Sequence, residues 1–478
     1  MPNMTDTVSA GASSTPRRFW IALFIAIFAG SSGAYSQTES RRDTGVFQVD
    51  PPTPYVHYSP VGQSRGRVLV VHGLDASKEL MNLFSQSLVD AGFEVYAIDL
   101  PGHGDSTVPF NGIVARNAVA AVLDTLTEPV IVAGHSMGAA LLLDLANERD
   151  FSNMVLLSPA PTPVNRIRAQ RALIIAGQFD IPRIRAFASE LETAGEGEVR
   201  VQIAPWTGHT GAVFHPSLQK EIAEWLGGDV ESIRSGWRLT LLAGMIISAL
   251  LLGVALLSSG PVPEFGEHAR AAPAIARYAM AGVFATLACA AAPPLFSWVR
   301  LFATDYVVGF ALLAGIALLV MRGRPARPPG TPFLEASAIA LLAAVYVIVA
   351  PGLWAGGNAL HLAPQEPRWW RLPLIAAALL PLLISDEIHI RPIRPWWKAA
   401  AIALATRLML AAFLVTGALT FNRGSAFVVV VMHLIVALWM VLWFAGEFIY
   451  RRTQNPLATA LFAAIVQAWI FAAVFVTQ

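Results

Sequence analysis

The pentapeptide Gly134-His135-Ser136-Met137-Gly138 is the stretch of this chain best equipped for chemistry. It sits between the apolar, β-rich run Pro129–Ala133 and a helix-forming stretch that continues Ala-Ala-Leu-Leu-Leu-Asp-Leu-Ala. A serine on a sharp strand-to-helix turn, flanked by glycine at the second position on either side, is a nucleophile elbow. The turn leaves no room for side chains at those two positions, and it lifts the hydroxyl to a helix N-terminus, whose positive end favours developing negative charge. A serine hydroxyl by itself is a weak nucleophile. It needs a neutral imidazole within hydrogen-bond reach to take its proton, and a carboxylate on the other ring nitrogen to fix the tautomer.

Two segments upstream agree with this reading. Val-Leu-Val-Val-His72-Gly73 closes one apolar run, and Ala97–Ser106 (AIDLPGHGDS) closes the next with a Gly-rich turn. His103 in that turn precedes the serine and reads as structural rather than as the base. The set VVHG, DLPGHGDS and GHSMGA, in this order, resembles the α/β-hydrolase superfamily, and most closely its branch of monoacylglycerol lipases and serine aminopeptidases. The resemblance spans roughly 49–226. It implies the chain order nucleophile, acid, base. Asp180, at the end of Ala-Leu-Ile-Ile-Ala-Gly-Gln-Phe-Asp, takes the acid position, and His209, in Trp-Thr-Gly-His, takes that of the base. The oxyanion hole it implies uses the backbone N–H groups of Leu74 and Met137. His215 is the rival base, although beside Pro216 it reads as a cap or surface residue. Asp105 and Asp124 are the rival acids.

The elements needed to hold such a site are legible as alternating strands and helices. Arg67–His72, Glu94–Leu100, Pro129–Ala133, Met154–Leu157, Leu173–Ala176 and Val199–Ile203 are apolar and β-rich, with amphipathic stretches such as Lys78–Ala91 and Arg116–Leu126 between them. The fold class predicted is α/β: a parallel sheet with helices on both faces. Gly45–Val49 and Tyr55–Tyr58 could add antiparallel edge strands. Between Ser158 and Ala172 only about a dozen residues intervene, too few for the helical lid of the resembling family. The mouth is therefore expected to be open, or covered by something else.

The composition, 55% hydrophobic and 14% charged over 478 residues, is too apolar for one soluble domain. A net charge of +1 offers no surface for nucleic acid. The single cysteine, Cys289, excludes an intrachain disulfide and leaves a thiolate metal site unsupported. No cofactor or metal is expected. Arg17 and Arg18 precede the apolar run Phe19–Gly30 and then small residues, the pattern of a signal peptide, with exit near Ala34 or Ser36, or of an uncleaved signal-anchor. The organisation expected is a signal or anchor over 1–36, a linker over 37–43, the hydrolase over 44–228, a linker over 229–236 and a membrane domain over 237–478.

Eight spans are expected in that last part: Trp237–Leu257, Tyr278–Phe296, Leu301–Met321, Glu335–Leu353, Leu372–Ile384, Ala399–Phe421, Ala426–Ile449 and Leu457–Val476. The fifth is short and holds Pro373 and Pro381, which raises a re-entrant alternative. Charge argues against it. If all eight cross and the hydrolase lies outside, the inner loops carry Arg270, Arg277, Arg322, Arg324, Arg327, Arg391, Arg394, Lys398, Arg451 and Arg452. The outer loops carry only Arg234, Arg238, Arg300, Arg368, Arg371 and Arg423. Arg407 lies deep in the sixth span, as an interhelix contact or a functional site. His433 in the seventh is a second polar outlier. The cluster Ser385-Asp386-Glu387 with His389 reads as solvated interface.

The function these features point to is a membrane-tethered serine hydrolase of carboxylic esters, with an amphiphilic or lipid substrate. It would sit in the plasma membrane with its hydrolase on the periplasmic or extracellular side. A peptidase or acyltransferase with the same triad, and a transporter or lipid-handling protein with an accessory hydrolase domain, are the alternatives. Because the last helix of such a fold runs away from the catalytic face, the tether should leave from the opposite edge, and the mouth should meet the membrane only if the domain lies on its side.

Overall fold

The computed structural model describes residues 15–126, 129–257, 271–292, 298–302, 304–322, 331–349, 368–422 and 427–477. Arg270, Arg324, Arg327 and Arg423, together with the ends expected at Phe296, Leu353 and Ala426, lie outside them.

Eight strands form one sheet: β1 (Arg42–Phe47), β2 (Thr53–Tyr58), β3 (Arg67–Val71), β4 (Glu94–Ile98), β5 (Val130–His135), β6 (Phe151–Leu157), β7 (Ala169–Gly177) and β8 (Glu198–Ala204). Their spatial order is β1-β2-β4-β3-β5-β6-β7-β8. The first two strands are antiparallel and the other six run parallel, so the edge hairpin and the parallel core are both as expected. This is an α/β-hydrolase sheet. Its central strands are apolar at every position because helices cover both faces. Alternate residues enter different cores. Leu69, Val71, Val132, Met154, Leu156 and Ile174 meet α3 (Gly112–Thr125) and α4 (Met137–Ala146). Val68, Val70, Ile131, Ala133, Val155 and Leu173 meet α2 (Asn82–Asp90) and α7 (Pro216–Trp225). Two further helices, α5 (Pro182–Glu190) and α6 (Gly211–Phe214), follow β7 and β8. No helix interrupts 158–168, so no lid covers the sheet there.

Among the described residues, nine apolar helices flank this domain in the chain. The N-terminal α1 (Thr15–Ser36) precedes it. After it come α8 (Ser235–Leu257), α9 (Ala271–Ala291), α10 (Thr304–Arg322), α11 (Phe333–Val349), α12 (Arg371–His389), α13 (Trp396–Phe421), α14 (Val428–Thr453) and α15 (Pro456–Val474). Eight of the nine are long and apolar enough to cross a bilayer, and α11, with 17 residues, is shorter. α12 is one continuous helix with Pro381 inside it. It lies so close to α10 that a Cβ on Gly315 would fall 2.2 Å from the Leu382 nitrogen, the small-residue packing that lets helices approach in lipid.

α1 runs antiparallel along α8. The Arg17 side chain donates to the Ala255 and Leu256 carbonyls at one end, and Tyr35 packs with Leu241, Leu242 and Met245 at the other. α8 does begin at the edge of the sheet opposite the nucleophile, where Arg238 binds Asp90 at the end of α2 (2.6 Å). The chain then turns back. Leu241, Leu242 and Met245 pass Leu83 at the start of α2, so α8 climbs beside the domain toward the catalytic edge.

The charges among these apolar helices are paired rather than solvated. Asp386, Glu387 and His389 are buried, against the expectation of an exposed interface. Arg407 on α13 donates to Asp386 on α12 (2.7 Å), and the Tyr278 hydroxyl donates to the same carboxylate. Arg391 joins Glu387 and Glu447 (2.7 and 2.8 Å), and Arg277 meets His389 (3.3 Å). Their burial follows from which helices pack together, a property no single helix carries in its own periodicity. His433 is exposed on α14, apart from this cluster.

Removing one partner of a buried ion pair strands the other charge, at a cost of about 3–5 kcal/mol. Arg407→Leu is therefore expected to lower the thermal unfolding midpoint in detergent by several degrees, and Arg407→Leu with Asp386→Asn should recover most of the loss. A single variant as stable as wild type would remove the pair from the account.

Candidate active site

Ser136 stands between β5 and α4 with φ 51° and ψ −112°. A non-glycine residue in this region costs on the order of 1–3 kcal/mol and persists only where its surroundings impose it. Here they do. A Cβ on Gly134 would lie 2.7 Å from the Ala139 nitrogen, and one on Gly138 would lie 2.3 Å from the Val71 carbonyl oxygen. The Ser136 N–H donates to Leu157 (2.8 Å), and its carbonyl accepts from Ala140 (3.0 Å) and Ala160 (3.2 Å). The hydroxyl is left pointing off the C-terminal edge of the sheet.

Two loops at that edge deliver the partners. His209 follows β8 and Asp180 follows β7. Ser136 Oγ donates to His209 Nε2 (2.9 Å), and His209 Nδ1 donates to Asp180 Oδ1 (2.8 Å). Burial pushes the Asp180 carboxyl up, but the hydrogen bond and charge of His209, with help from the Ser158 hydroxyl, outweigh it and hold the group below the usual carboxylate range. The carboxylate thus stays ionised to orient the imidazole. Gly177 and the His209 loop are in close contact, since a Cβ on Gly177 would lie 2.4 Å from the Thr207 carbonyl oxygen.

The rivals are engaged elsewhere. Asp105 binds Lys78 (2.6 Å), and Asp124 binds Arg149. His215 is exposed at the start of α7. His103 is buried against His72 and Phe110 and donates Nδ1–H to the Pro101 carbonyl (2.8 Å), a structural role. Among the described residues no group of three or more His, Cys, Asp or Glu side chains could hold a metal ion.

One residue escaped the sequence reading. His135, inside the elbow motif, donates Nε2–H to the His209 carbonyl (3.0 Å) and clamps the loop of the proton acceptor. Burial, then the neighbouring His209, pushes its pKa down to about 4, so it stays neutral. Its Nδ1 would lie 2.8 Å from a Cβ on Gly73, which is why the turn after β3 has glycine there. A histidine bonded to a backbone carbonyl leaves no pattern in sequence.

Behind that turn, His72 Nδ1 donates to the Gly73 carbonyl (2.7 Å) and Nε2 accepts from the Leu100 N–H (3.1 Å). Asp99 accepts from the backbone N–H groups of Lys78 and Asp105 (2.8 Å each) and from the Lys78 ammonium. A Cβ on Gly104 would collide with that carboxylate. The turns carrying Leu74 and Gly102 are therefore locked to one another. Met137 opens α4, where the first N–H groups of a helix have no intrahelical partner.

The hydrolase part of the chain is similar to known proteins. Residues 62–184 match the family model described as serine aminopeptidase, S33 (Hydrolase_4). The chain is 29% identical over 223 residues to lipase LipV of Mycobacterium tuberculosis, covering 45% of this chain and 78% of that protein. It is 38% identical over 82 residues to a pimeloyl-[acyl-carrier protein] methyl ester esterase of Neisseria meningitidis, 17% of this chain and 30% of that protein. Among solved structures it is similar to the monoacylglycerol lipase of Paleococcus ferrophilus, at 17% identity and TM-score 0.32, covering 39% of this chain and 99% of that one. It is likewise similar to the dienelactone hydrolase of Anabaena variabilis, at 20% identity and TM-score 0.34, covering 39% and 95%.

Ser136→Ala and His209→Ala are each expected to abolish turnover of a short p-nitrophenyl ester, and Asp180→Asn to lower kcat by about 10⁴-fold. The Ser136→Ala/His209→Ala protein should be no worse than either single variant, because the groups act as a unit. Wild-type kcat in Ser136→Ala would overturn the assignment.

Proposed function

We propose that this protein is a membrane-held serine hydrolase that cleaves carboxylic esters of amphiphilic or lipid molecules through Ser136, His209 and Asp180. The observation that carries the reading is the unbroken chain of hydrogen bonds from Ser136 Oγ through His209 to Asp180, on a strained strand-to-helix turn. Ser136 Oγ attacks the ester carbonyl as His209 Nε2 takes its proton. The backbone N–H groups of Leu74 and Met137 receive the oxyanion. Collapse breaks the bond to the alcohol, which leaves with the proton from His209. A water molecule then repeats the sequence on the acyl-enzyme and frees the acid. The names of the similar proteins, a lipase and a methyl ester esterase, favour an ester over a peptide.

Two features support a lipid substrate. The loops after β3 and β4, on the edge that bears Ser136, pack against the ends of membrane-domain elements: Phe110 meets Phe302 and bonds Thr477. On the same edge, beside Asp180 and His209, Phe179 and Trp206 pair edge to face (6.0 Å) and stay largely exposed. An exposed aromatic ledge beside the nucleophile suits the water–lipid interface, where Trp is favoured.

The bond between Thr477 and Gly102 also bears on topology. A chain that leaves the hydrolase at α8 and returns to it after α15 must cross an even number of times. Eight crossings, one for each of the helices α8–α15 among the described residues, satisfy this, as the arginine asymmetry of the loops suggests, and we place the hydrolase on the periplasmic or extracellular side of the plasma membrane.

In nanodiscs, the full chain is expected to cleave both a short soluble ester and a long-chain acylglycerol held in the bilayer, and Ser136→Ala neither. Turnover of the soluble ester with no acylglycerol of any chain length cleaved would remove the lipid reading. In right-side-out membrane vesicles carrying Cys289→Ala, an impermeant maleimide should label Ser64→Cys and spare Arg452→Cys. The reverse pattern would invert the topology.

A further inference from the structure

Leu74, whose N–H the proposed mechanism uses, sits between two residues fixed by very different parts of the chain. On one side Gly73 lies against His135 and Ser136, with Cβ-to-atom distances of 2.8 and 3.1 Å to their Nδ1 and Cβ. On the other side Asp75 has φ 55°, a left-handed conformation that aspartate adopts more readily than most residues with a side chain. Among the described residues, none of the hydrolase domain hydrogen-bonds the Asp75 carboxylate. Its Oδ1 accepts from the backbone N–H of Val476, just beyond α15 (3.0 Å, 401 positions away), and its Oδ2 is buried without a hydrogen-bond partner.

The segment that supplies this donor is itself built in. The Thr477 N–H donates to the Gly102 carbonyl (3.1 Å), and the Thr477 carbonyl accepts from the Phe110 N–H (3.0 Å). The Val476 carbonyl accepts from the Phe302 N–H (2.9 Å). The buried Arg368, just before α12, ties the joint together. It donates to the Ala473 carbonyl at the end of α15 (2.8 Å) and to the Gly102 carbonyl (2.8 Å). A cation there also meets the negative end of the α15 dipole. Gly102 has φ 79°, and a Cβ on it would lie 2.8 Å from the Thr477 carbonyl oxygen. The glycine in the Asp-Leu-Pro-Gly turn is thus required by the docked membrane domain as well as by its own backbone.

We infer that Val476, through its N–H on the Asp75 carboxylate, is a positioning residue for the Leu74 oxyanion donor, so that the membrane domain completes the catalytic edge of the hydrolase. This rests on the serine hydrolase reading and adds a specific coupling to it. The spans then do more than anchor. A shift of α15 or α12 moves the oxyanion loop through Val476 and Arg368. Burial pushes the Asp75 carboxyl up to about 7, against the opposing effects of the Val476 N–H and the Arg368 charge, which marks how fully the joint excludes water.

The test uses the full chain in detergent micelles and a short p-nitrophenyl ester. Val476→Pro removes the donor and keeps an apolar side chain at this buried position, and Phe475, at ψ 148°, already has the backbone that precedes proline. Asp75→Ala removes the acceptor, and Asp75→Asn keeps an oxygen there. We expect Val476→Pro and Asp75→Ala each to lower kcat about 10-fold with KM unchanged, Asp75→Asn to stay within about 2-fold of wild type, and the double variant to be no worse than either single one. Wild-type kcat in both single variants, or losses that multiply in the double variant, would overturn the inference. If wild type itself neither turns over an ester nor reacts with a fluorophosphonate, the serine hydrolase reading fails instead. A variant that unfolds is recognised by its thermal midpoint, and Arg368→Lys then serves as the second probe. Loss of the Gly102 bond with that of Ala473 retained should again lower kcat without moving KM, and unchanged kcat there would count against the coupling.

Discussion

The close approach of α4 to the sheet sets the terms for everything else at the catalytic edge. Val71, Ala139 and the elbow backbone come so near one another that only glycine fits at 134 and 138, and Ser136 is forced to φ 51° as a result. A turn held this way does not relax when a substrate binds. The hydroxyl, the first N–H groups of α4 and the turn after β3 keep fixed relative positions, which is the preorganisation that electrostatic stabilisation of an oxyanion requires. His135 extends the same rigidity to the loop of His209, and Asp99 extends it to the turns of Leu74 and Gly102.

The C-terminal helices meet this rigid edge as well as the opposite end of the sheet, where Arg238 binds Asp90. The connection between β6 and β7 has no helix. Phe302, Arg368, Val476 and Thr477 stand against the loops after β3 and β4. The loops after β7 and β8 stay open and carry the exposed Phe179 and Trp206. One half of the rim is thus walled by protein and the other half is apolar and accessible, an arrangement suited to a substrate that arrives from a lipid surface. The buried charges of α12, α13 and α14 hold the spans that support this wall.

What could be read in the sequence follows from how local each signal is. The elbow is a five-residue pattern whose glycines report a steric fact, and the strands before and after it report burial on both faces. Ser136, His209 and Asp180 come together in space because each ends a strand of the same parallel sheet, where all carboxyl ends share one edge. The buried charges were misread because Asp386, Glu387 and His389 lie at the end of an apolar run, where solvation is the ordinary outcome. The helices around α12, joined to this cluster through Tyr278, Arg407 and, by way of Arg391, Glu447, enclose them. The bond from Val476 to Asp75 joins residues 401 positions apart through a backbone group, and nothing in either residue's neighbourhood signals it. The fold fixes where the last helix ends, but the direction of the chain after Gly228 depends on the contacts of Arg238 and Leu241 with α2.

The central claim, that Ser136 is the nucleophile of a working hydrolase in the intact membrane protein, is tested most directly by peptide mapping after fluorophosphonate treatment of the full chain in nanodiscs. The account requires one phosphonyl adduct per chain, on the oxygen of Ser136, formed only while the protein is folded. An adduct on a different residue, or none on a folded protein that still cleaves esters, would contradict it.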